Sequence, residues 1–433
     1  MTEIDPKTNK PTLTVIRGAK LSLKAFAALT FSQKMDRLRG MSSAMRQEFI
    51  IQDPEGKELT KAFSPQEFYL MIKEIGETDA APLLTSASAD QLAICLDLDA
   101  WDKWNFKPDQ ACQWLERMMV GSDDEQLSRF HSLDPELLQL LLLKELDVGV
   151  GYGELATDAD RLGSWDHTFD NHFFITFRHS EHARLLGAFL DLLFRLDQQF
   201  FYSLMENCCS AVATEVEELC YNFRTGRLTD LGFPSYEQAI EIYTPLAPGS
   251  YVRTENKLSV SFSETNSLIP QPIQGTEETL LAKILPAVMT EDIGQELGYL
   301  LNCALIFEQG TTQDENSMRT VTERVYGWLN IALEYLSGGD EIIAADFLSR
   351  EYLQRLFRLG CGIIQEVARQ ARSIRSDDYA TAKAIRGLTA QRPLYYRLLD
   401  PDHIDGYREF HTMQDIKLVR GFLTDLQGSS QVT

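Results

Sequence analysis

The sequence lacks the patterns that mark a membrane-inserted or secreted protein. Its longest apolar stretch, LLQLLLLKEL at positions 137–146, is too short to span a bilayer and contains Lys144 and Glu145. The first residues, MTEIDPKTNKPTLT, have no apolar run of the kind that a secretory signal needs. We therefore expect no membrane insertion and a cytoplasmic location.

Paired cysteines and familiar catalytic motifs are also missing. The seven cysteines are an odd number and form no C-x-x-C pair, which is typical of reduced thiols in the cytoplasm. The sequence has no Walker loop, no nucleophile-elbow serine and no H-E-x-x-H motif. No catalytic signature therefore identifies a reaction, and the sequence leaves open whether the chain is an enzyme.

The chain has fewer basic than acidic residues. The chain has 41 Lys and Arg against 64 Asp and Glu, a net charge of −23, and such a field repels polyphosphates. We therefore expect no nucleic-acid partner. The 433 residues, 44% of them hydrophobic, are enough for two or three globular domains.

Helix-start signals are abundant. In FSPQEFYLMIKEI, Ser64 is placed as an N-cap, Pro65 at the first helical position and Glu67 to complete a capping box. Similar signals begin at Ser88, Ser122 and Asp134.

Four identities recur thirty-five positions apart: Gln91, Leu92, Leu98 and Asp99 match Gln126, Leu127, Leu133 and Asp134. This spacing is compatible with a helical repeat, the alternative being irregular helix packing.

These patterns predict a mainly α fold divided into five segments. They are an entry segment (1–60), a helical-repeat or superhelical domain (61–147), a small mixed segment with short strands and long helices (148–262), a linker (263–276) and a C-terminal helical domain (277–433). Short strands are predicted at HFFITFR (172–178) and LSVSF (258–262). Long helices are predicted over 181–199 and 201–223.

The stretch GRLTDLGFPSYEQAIEIY (226–243) is predicted to be a joint between helices. Gly226 can end the preceding helix, Gly232 suits a sharp turn, and Ser235 with Gln238 forms a capping box. The alternative is a backbone cradle for an anion at the following helix N-terminus.

Four phrases carry a resemblance to a known family: FYLMIKEIGETDAAPLL, ADQLAICLDLDAW, GRLTDLGFPSYEQAIEIY and YREFHTMQDI. From about Phe63 to the C-terminus, the chain resembles an uncharacterised bacterial family known only as domain of unknown function 6178. The resemblance implies no activity, because that family has no assigned catalytic residues. Capped leucine helices such as DPELLQLLLLKELD also look distantly like the N-terminal helical domain of magnesium transporters and the flagellar-switch repeats.

A histidine-rich window, WDHTFDNHFFITFRHSEHARLL, is the first candidate site. The candidate metal ligands in it are His167, Asp170, His172, His179 and His182. His179 and His182 are three positions apart and share a face if they are helical, and imidazole suits divalent transition metals such as zinc, copper, iron or nickel. The alternative is a set of surface and helix-start residues around a strand.

Two further clusters are candidates. Asp97, Asp99 and Asp102 could bind magnesium or divide acid and base roles, although structural capping explains them as well. Arg369, Arg372 and Arg375 could grip an anion or an acidic partner, the alternative being a solvated face or a match to the chain's own acidic half.

Capped helices, acidic charge and the missing catalytic motifs together favour a scaffold or adaptor that binds a protein partner, since helical arrays commonly present extended binding surfaces. The alternative is a metal-dependent enzyme or a metal-binding regulator centred on residues 166–182.

Overall fold

A computed structural model of the chain describes residues 22–150, 165–254, 257, 279–308, 315–376 and 378–430. In these ranges the fold is mainly α, as predicted. Helices of the N-terminal half are α1 (Leu23–Ala27), α2 (Phe31–Arg39), α3 (Ser43–Gln52), α4 (Gly56–Lys61), α5 (Pro65–Ile75), α6 (Ala81–Leu84), α7 (Ala89–Asp99), α8 (Pro108–Met118), α9 (Asp123–His131), α10 (Pro135–Glu145), α11 (Ser180–Leu196), α12 (Gln198–Ser210), α13 (Ala213–Asp230) and α14 (Tyr236–Glu241). Those of the C-terminal half are α15 (Leu280–Val288), α16 (Glu291–Phe307), α17 (Glu315–Ser337), α18 (Glu341–Arg350), α19 (Leu353–Arg372), α20 (Tyr379–Thr389) and α21 (Met413–Ser430).

The strands are few and short. They are β1 (Trp101–Asp102), β2 (Asn105–Phe106), β3 (Leu146–Val150), β4 (His167–Thr168), β5 (Phe173–Phe177), β6 (Tyr395–Tyr396) and β7 (Tyr407–Arg408). Strands β3, β5 and β4 form an antiparallel sheet in that order, and the other four form two hairpins. The strand predicted at 172–178 is confirmed as β5. The one predicted at 258–262 and the linker at 263–276 lie outside the described residues, and the segment boundaries stay predictions.

The predicted capping boxes are present. Ser64, Ser88, Ser122 and Ser235 each accept a hydrogen bond from the backbone three residues later, and the Glu or Gln at that position accepts one in return. Each box satisfies amide groups that a helix start leaves unpaired. Asp134 stands at the N-cap position of α10 but its side chain makes no capping hydrogen bond, because the carboxylate binds Arg227 instead.

Several boundaries predicted for the long helices were wrong. The helix predicted over 181–199 is α11, which ends at Leu196, and α12 begins at Gln198. The helix predicted over 201–223 is two helices that meet at Ala211 and Val212, where the backbone is extended; α12 packs on α10, α11 and β3, whereas α13 packs on α10 and α7. Gly226 does not end a helix but lies inside α13, which continues to Asp230. The sharp turn is at Gly232, with φ of +78°, so the stretch is a joint between helices as expected.

One buried apolar cluster extends through both halves of the chain. Helix α14 packs against α16, Tyr243 stacks on Phe307 with ring centroids 4.1 Å apart, and the Asn302 amide donates to the Gly232 carbonyl at 3.0 Å. In the C-terminal half α17 and α19 approach closely at Gly360, where a Cβ atom would lie 2.1 Å from the Trp328 carbonyl oxygen. Across the described ranges, no helix is both long enough and apolar enough to cross a membrane.

Candidate metal centre

The pairing of β3 with β5 brings Glu145 next to two of the predicted histidine ligands. Strand β3 begins directly after Glu145, and Leu146 stands opposite Phe177 in the ladder. The Arg178 amide donates to the Glu145 carbonyl at 2.8 Å, which continues the register by one residue. His179 follows at the N-cap position of α11, and His182 lies in the first turn of that helix. Residues thirty-four and thirty-seven positions apart are therefore neighbours.

The two imidazoles converge on one carboxylate oxygen. Nδ1 of His179 lies 3.0 Å from Oε2 of Glu145, and Nδ1 of His182 lies 2.9 Å from the same atom. The Glu145 side chain is fully buried, whereas the side chains of His182 and His179 are 15% and 52% exposed. All three ligand atoms lie within 4.8 Å of one another. The buried Glu145 carboxylate therefore lies on one side of the cluster, and the side formed by His179 is open to solvent.

The second oxygen of Glu145 is less well satisfied. Oε1 is buried and has no hydrogen-bond partner among the described residues. A buried carboxylate oxygen is costly unless it is hydrogen-bonded, paired with a cation or bound to a metal. The hydrogen bond with Glu145 and the negative charge of its carboxylate raise the pKa of His179. Both observations show that this carboxylate favours positive charge beside it.

Two more acidic side chains lie near His182. Asp109, in the first turn of α8, has its Oδ1 4.0 Å from Nε2 of His182. Asp109, Glu181 and His182 each offer a ligand atom within 4.8 Å of the others. The ends of α10, α8 and α11 thus place acidic groups on both sides of one imidazole ring.

The donor set of two imidazole nitrogens and a carboxylate fits a divalent transition metal. Two ligands bound about 2.1 Å from one ion are about 3.0 Å apart at right angles, as in an octahedral site, and about 3.4 Å apart in a tetrahedral one. The contacts of 2.9 and 3.0 Å are hydrogen-bond distances that lie close to these ligand spacings. A set of two histidines and one carboxylate with open positions is known for iron(II), and zinc accepts the same donors.

The other predicted ligands lie apart from this cluster. His167 is in β4 with its ring against Phe169, and the ring of His172 packs on Phe173. Asp170 Oδ1 accepts the backbone amides of His172 and Phe173, as in a turn. Within the described residues, the groups of metal-ligating atoms include none of these three. The structure therefore brings together His179 and His182 of the predicted set.

The aspartates of the CLDLDAW phrase are occupied by structural contacts. Asp97 is held by Arg227 through two hydrogen bonds of 2.7 and 2.8 Å.

Asp99 is contacted by three donors, which are Lys73 Nζ at 2.7 Å, Tyr69 Oη at 2.9 Å and Trp114 Nε1 at 2.9 Å. Asp102 pairs with Lys107 at 3.4 Å on the surface. Neither Asp97 nor Asp99 caps a helix, since both lie at the C-terminal end of α7 and link it to neighbouring helices.

The predicted basic cluster lies at the C-terminal end of α19. Arg369, Arg372 and Arg375 are exposed, and Nε of Arg369 bonds the Gln365 carbonyl of its own helix at 3.4 Å. In the part of the chain that the structure describes, none of the three pairs with a carboxylate. Cationic side chains are favourable at the negative end of a helix dipole, which accounts for Arg369 and Arg372 in the last turn. Binding of an anion or partner by the three arginines stays a prediction.

Glu145 and Asp109 are not among the site residues that the sequence predicted. A signal for Glu145 exists, because it follows Leu138 and Leu141 at helical spacing and therefore lies on an otherwise apolar, buried face. Nothing comparable marks Asp109, since acidic residues are common in the first turn of a helix.

The comparison with known families supports the resemblance in the quoted phrases. The model described as "Family of unknown function (DUF6178)" matches residues 23–432, nearly the whole chain. No curated protein and no solved structure matches the chain. The distant likeness to magnesium-transporter and flagellar-switch helices stays a prediction.

Proposed function

Because this chain belongs to the family of unknown function DUF6178, whose description names no activity, we propose a function from the site alone: the protein binds one divalent transition-metal ion through Glu145, His179 and His182. The observation that carries the proposal is the convergence of two Nδ1 atoms on one oxygen of a fully buried carboxylate. Such a set needs only loss of the Nδ1 protons to become three ligands.

A purely structural role explains the cluster less well. Two hydrogen bonds to Oε2 leave Oε1 buried without a partner among the described residues, so burial of the carboxylate is only partly compensated. A surface histidine pair would also not need an acidic group that is buried beneath it. A metal ion would supply the positive charge that this carboxylate favours.

The proposed ion would keep coordination positions open to solvent. His179 is about half exposed, so the three protein ligands cover one side of the ion. Zinc sites with three protein ligands and a bound water are typical of catalysis, whereas closed four-ligand sites are structural. The geometry thus suits either an enzyme or a metal-binding regulator.

The test is metal content with matched histidine variants. Chain purified without chelators is dialysed against Zn2+ or Co2+, and bound metal is measured by elemental analysis. We expect one ion per chain, lost in H179A/H182A and retained in H167A, since His167 lies in β4 outside the cluster. Equal metal content in the two variants, or none in the native chain, would refute the site.

We propose protein binding, as a scaffold or adaptor, as a second function, and an apolar surface of α13 supports it. Leu219 and Phe223 lie one turn apart on α13 and are 41% and 42% exposed, and Val212, in the extended segment just before α13, is 54% exposed. Exposed apolar surface of this kind often marks a site of protein interaction. Reduced thiols are typical of cytoplasmic proteins, so the seven free cysteines support the proposal that this protein is cytoplasmic.

The adaptor proposal is tested by comparing captured proteins. Native chain and the L219S/F223S variant are used as baits, with Y379S as a control that removes another large exposed side chain, 77% exposed, from α20. We expect one partner to be captured by the native chain and by Y379S and to be absent with L219S/F223S. Identical captures with all three baits would exclude this surface.

A further inference from the structure

The ring of His182 has a carboxylate near each of its two nitrogens. Nδ1 lies 2.9 Å from Oε2 of Glu145, and Nε2 lies 4.0 Å from Oδ1 of Asp109. The first distance is that of a hydrogen bond, and the second is too long for one. Glu145 is fully buried, whereas the Asp109 side chain is 74% exposed.

Asp109 has no other partner in the described residues. It stands at the second position of α8, and His182 is the one group there within ion-pair distance of it. The side chain is therefore able to move toward the imidazole without breaking another contact. Packing of α8 against α11 holds the two backbones in place while it does so.

The proton of a neutral imidazole can reside on either ring nitrogen. In the form with the proton on Nδ1, His182 donates to Glu145, and Nε2 presents a lone pair to the Asp109 carboxylate; two acceptors do not attract each other. Binding of a metal at Nδ1 reverses this arrangement, because the metal takes the Nδ1 lone pair and the proton must be on Nε2.

On this basis, which rests on the proposed metal site, we propose that Asp109 is a positioning residue: it accepts a hydrogen bond from Nε2 of His182 when Nδ1 binds the metal. The N–H bond at Nδ1 breaks, a metal–Nδ1 bond forms, and water carries a proton to Nε2, so the ring stays neutral. An outer carboxylate of this kind fixes the orientation of a ligating histidine and increases its basicity.

The experiment measures Zn2+ affinity and the Co2+ absorption spectrum of the full chain. Substitution D109A removes the acceptor, and D109N keeps an oxygen acceptor without the charge. The control D90A removes an exposed acidic residue at the same helical position of α7, and Asp90 belongs to neither group of metal-ligating atoms in the described residues. We expect D109A to bind Zn2+ 10- to 100-fold more weakly than the native chain, with D109N between the two. D90A should bind as the native chain does.

Two spectroscopic readouts separate positioning from direct coordination. The positions of the Co2+ bands in D109A should equal those of the native chain, because the ligands are unchanged. In the native chain, 15N NMR should show the His182 proton moving from Nδ1 to Nε2 when Zn2+ is added.

Several results would overturn the inference. Zn2+ affinity of D109A within about twofold of that of D90A would show that Asp109 has no role at the metal. A changed Co2+ band pattern in D109A would make Asp109 a ligand, and a proton that stays on Nδ1 would exclude the proposed exchange. These results differ from a native chain that binds no metal, which would refute the metal site itself and the inference with it.

Discussion

The pairing of Arg227 with Asp97 allows a quantitative test of whether Asp97 is structural. Nε and Nη2 of Arg227 contact the two oxygens of Asp97 at 2.7 and 2.8 Å, joining α13 to α7. The Asp97 side chain is 1% exposed, and its partner's is 31% exposed. A fork of two parallel hydrogen bonds to a buried carboxylate is among the stronger ion pairs in proteins.

Substitution of Arg227 by Met keeps most of the side-chain volume and removes the charge. An uncompensated buried charge costs about 3–5 kcal/mol, and we expect about 3 kcal/mol for R227M because the Arg224 guanidinium also lies near Asp97. The D97N/R227M double variant removes both charges. Its loss should be about 2 kcal/mol smaller than the sum of the two single losses, a coupling of the size found for contacting residues.

Urea unfolding of the four proteins at pH 7 and pH 5 measures this cycle. Burial raises the pKa of Asp97 above its ordinary value, and removal of Arg227 raises it further. The folded variant therefore binds a proton more tightly than the unfolded chain, so the deficit of R227M should shrink as the pH falls from 7 to 5. Losses that add within about 0.5 kcal/mol, or a deficit that grows on acidification, would refute the assignment.

Three further predictions concern other parts of the chain. E145Q keeps the shape of the buried ligand without its charge. We expect equilibrium dialysis to show that E145Q binds Zn2+ at least tenfold more weakly than the native chain, and native affinity in E145Q would contradict the proposed ligand set. G360A should destabilise the fold by about 1–3 kcal/mol, because its Cβ would meet the Trp328 carbonyl. G226A, with open space around the Cβ in a helix, should stabilise the fold by about 0.5–1 kcal/mol. Thermal unfolding of the two variants checks this prediction, and equal shifts of the unfolding temperature would refute it. Burial lowers the pKa of His411, so the native chain should lose stability as the pH falls below about 6.5, and H411N should show a flatter profile; parallel profiles would contradict it.

Local signals predicted the helix starts well. The boxes at Ser64, Ser88, Ser122 and Ser235 depend on residues within one turn of the chain, and all four are present. The sharp turn at Gly232 also follows from a local need, a positive φ angle. The prediction that Gly226 ends a helix is wrong because a glycine can end a helix or be tolerated inside one, and only packing along α13 decides which.

The candidate site was predicted in part. The spacing of His179 and His182 predicted that the two imidazoles share a face if both residues are helical. His179 is instead the extended N-cap residue of α11, but the structure still brings both rings to Glu145. The five-residue set mixed them with His167, Asp170 and His172, which are near in sequence but lie on or beside β4 and β5. A sequence window cannot separate residues on or beside a strand from residues that converge in space.

The sequence by itself determined the mainly α character, the capped helix starts, the strand at β5 and the acidic charge, because each depends on the residue types within a few positions. Only the tertiary structure decided which acidic groups meet the histidines. The register of β3 with β5 brings Glu145 to His179, and the packing of α8 on α11 brings Asp109 to His182. Those contacts join residues 34 to 73 positions apart, a separation that carries no local signal.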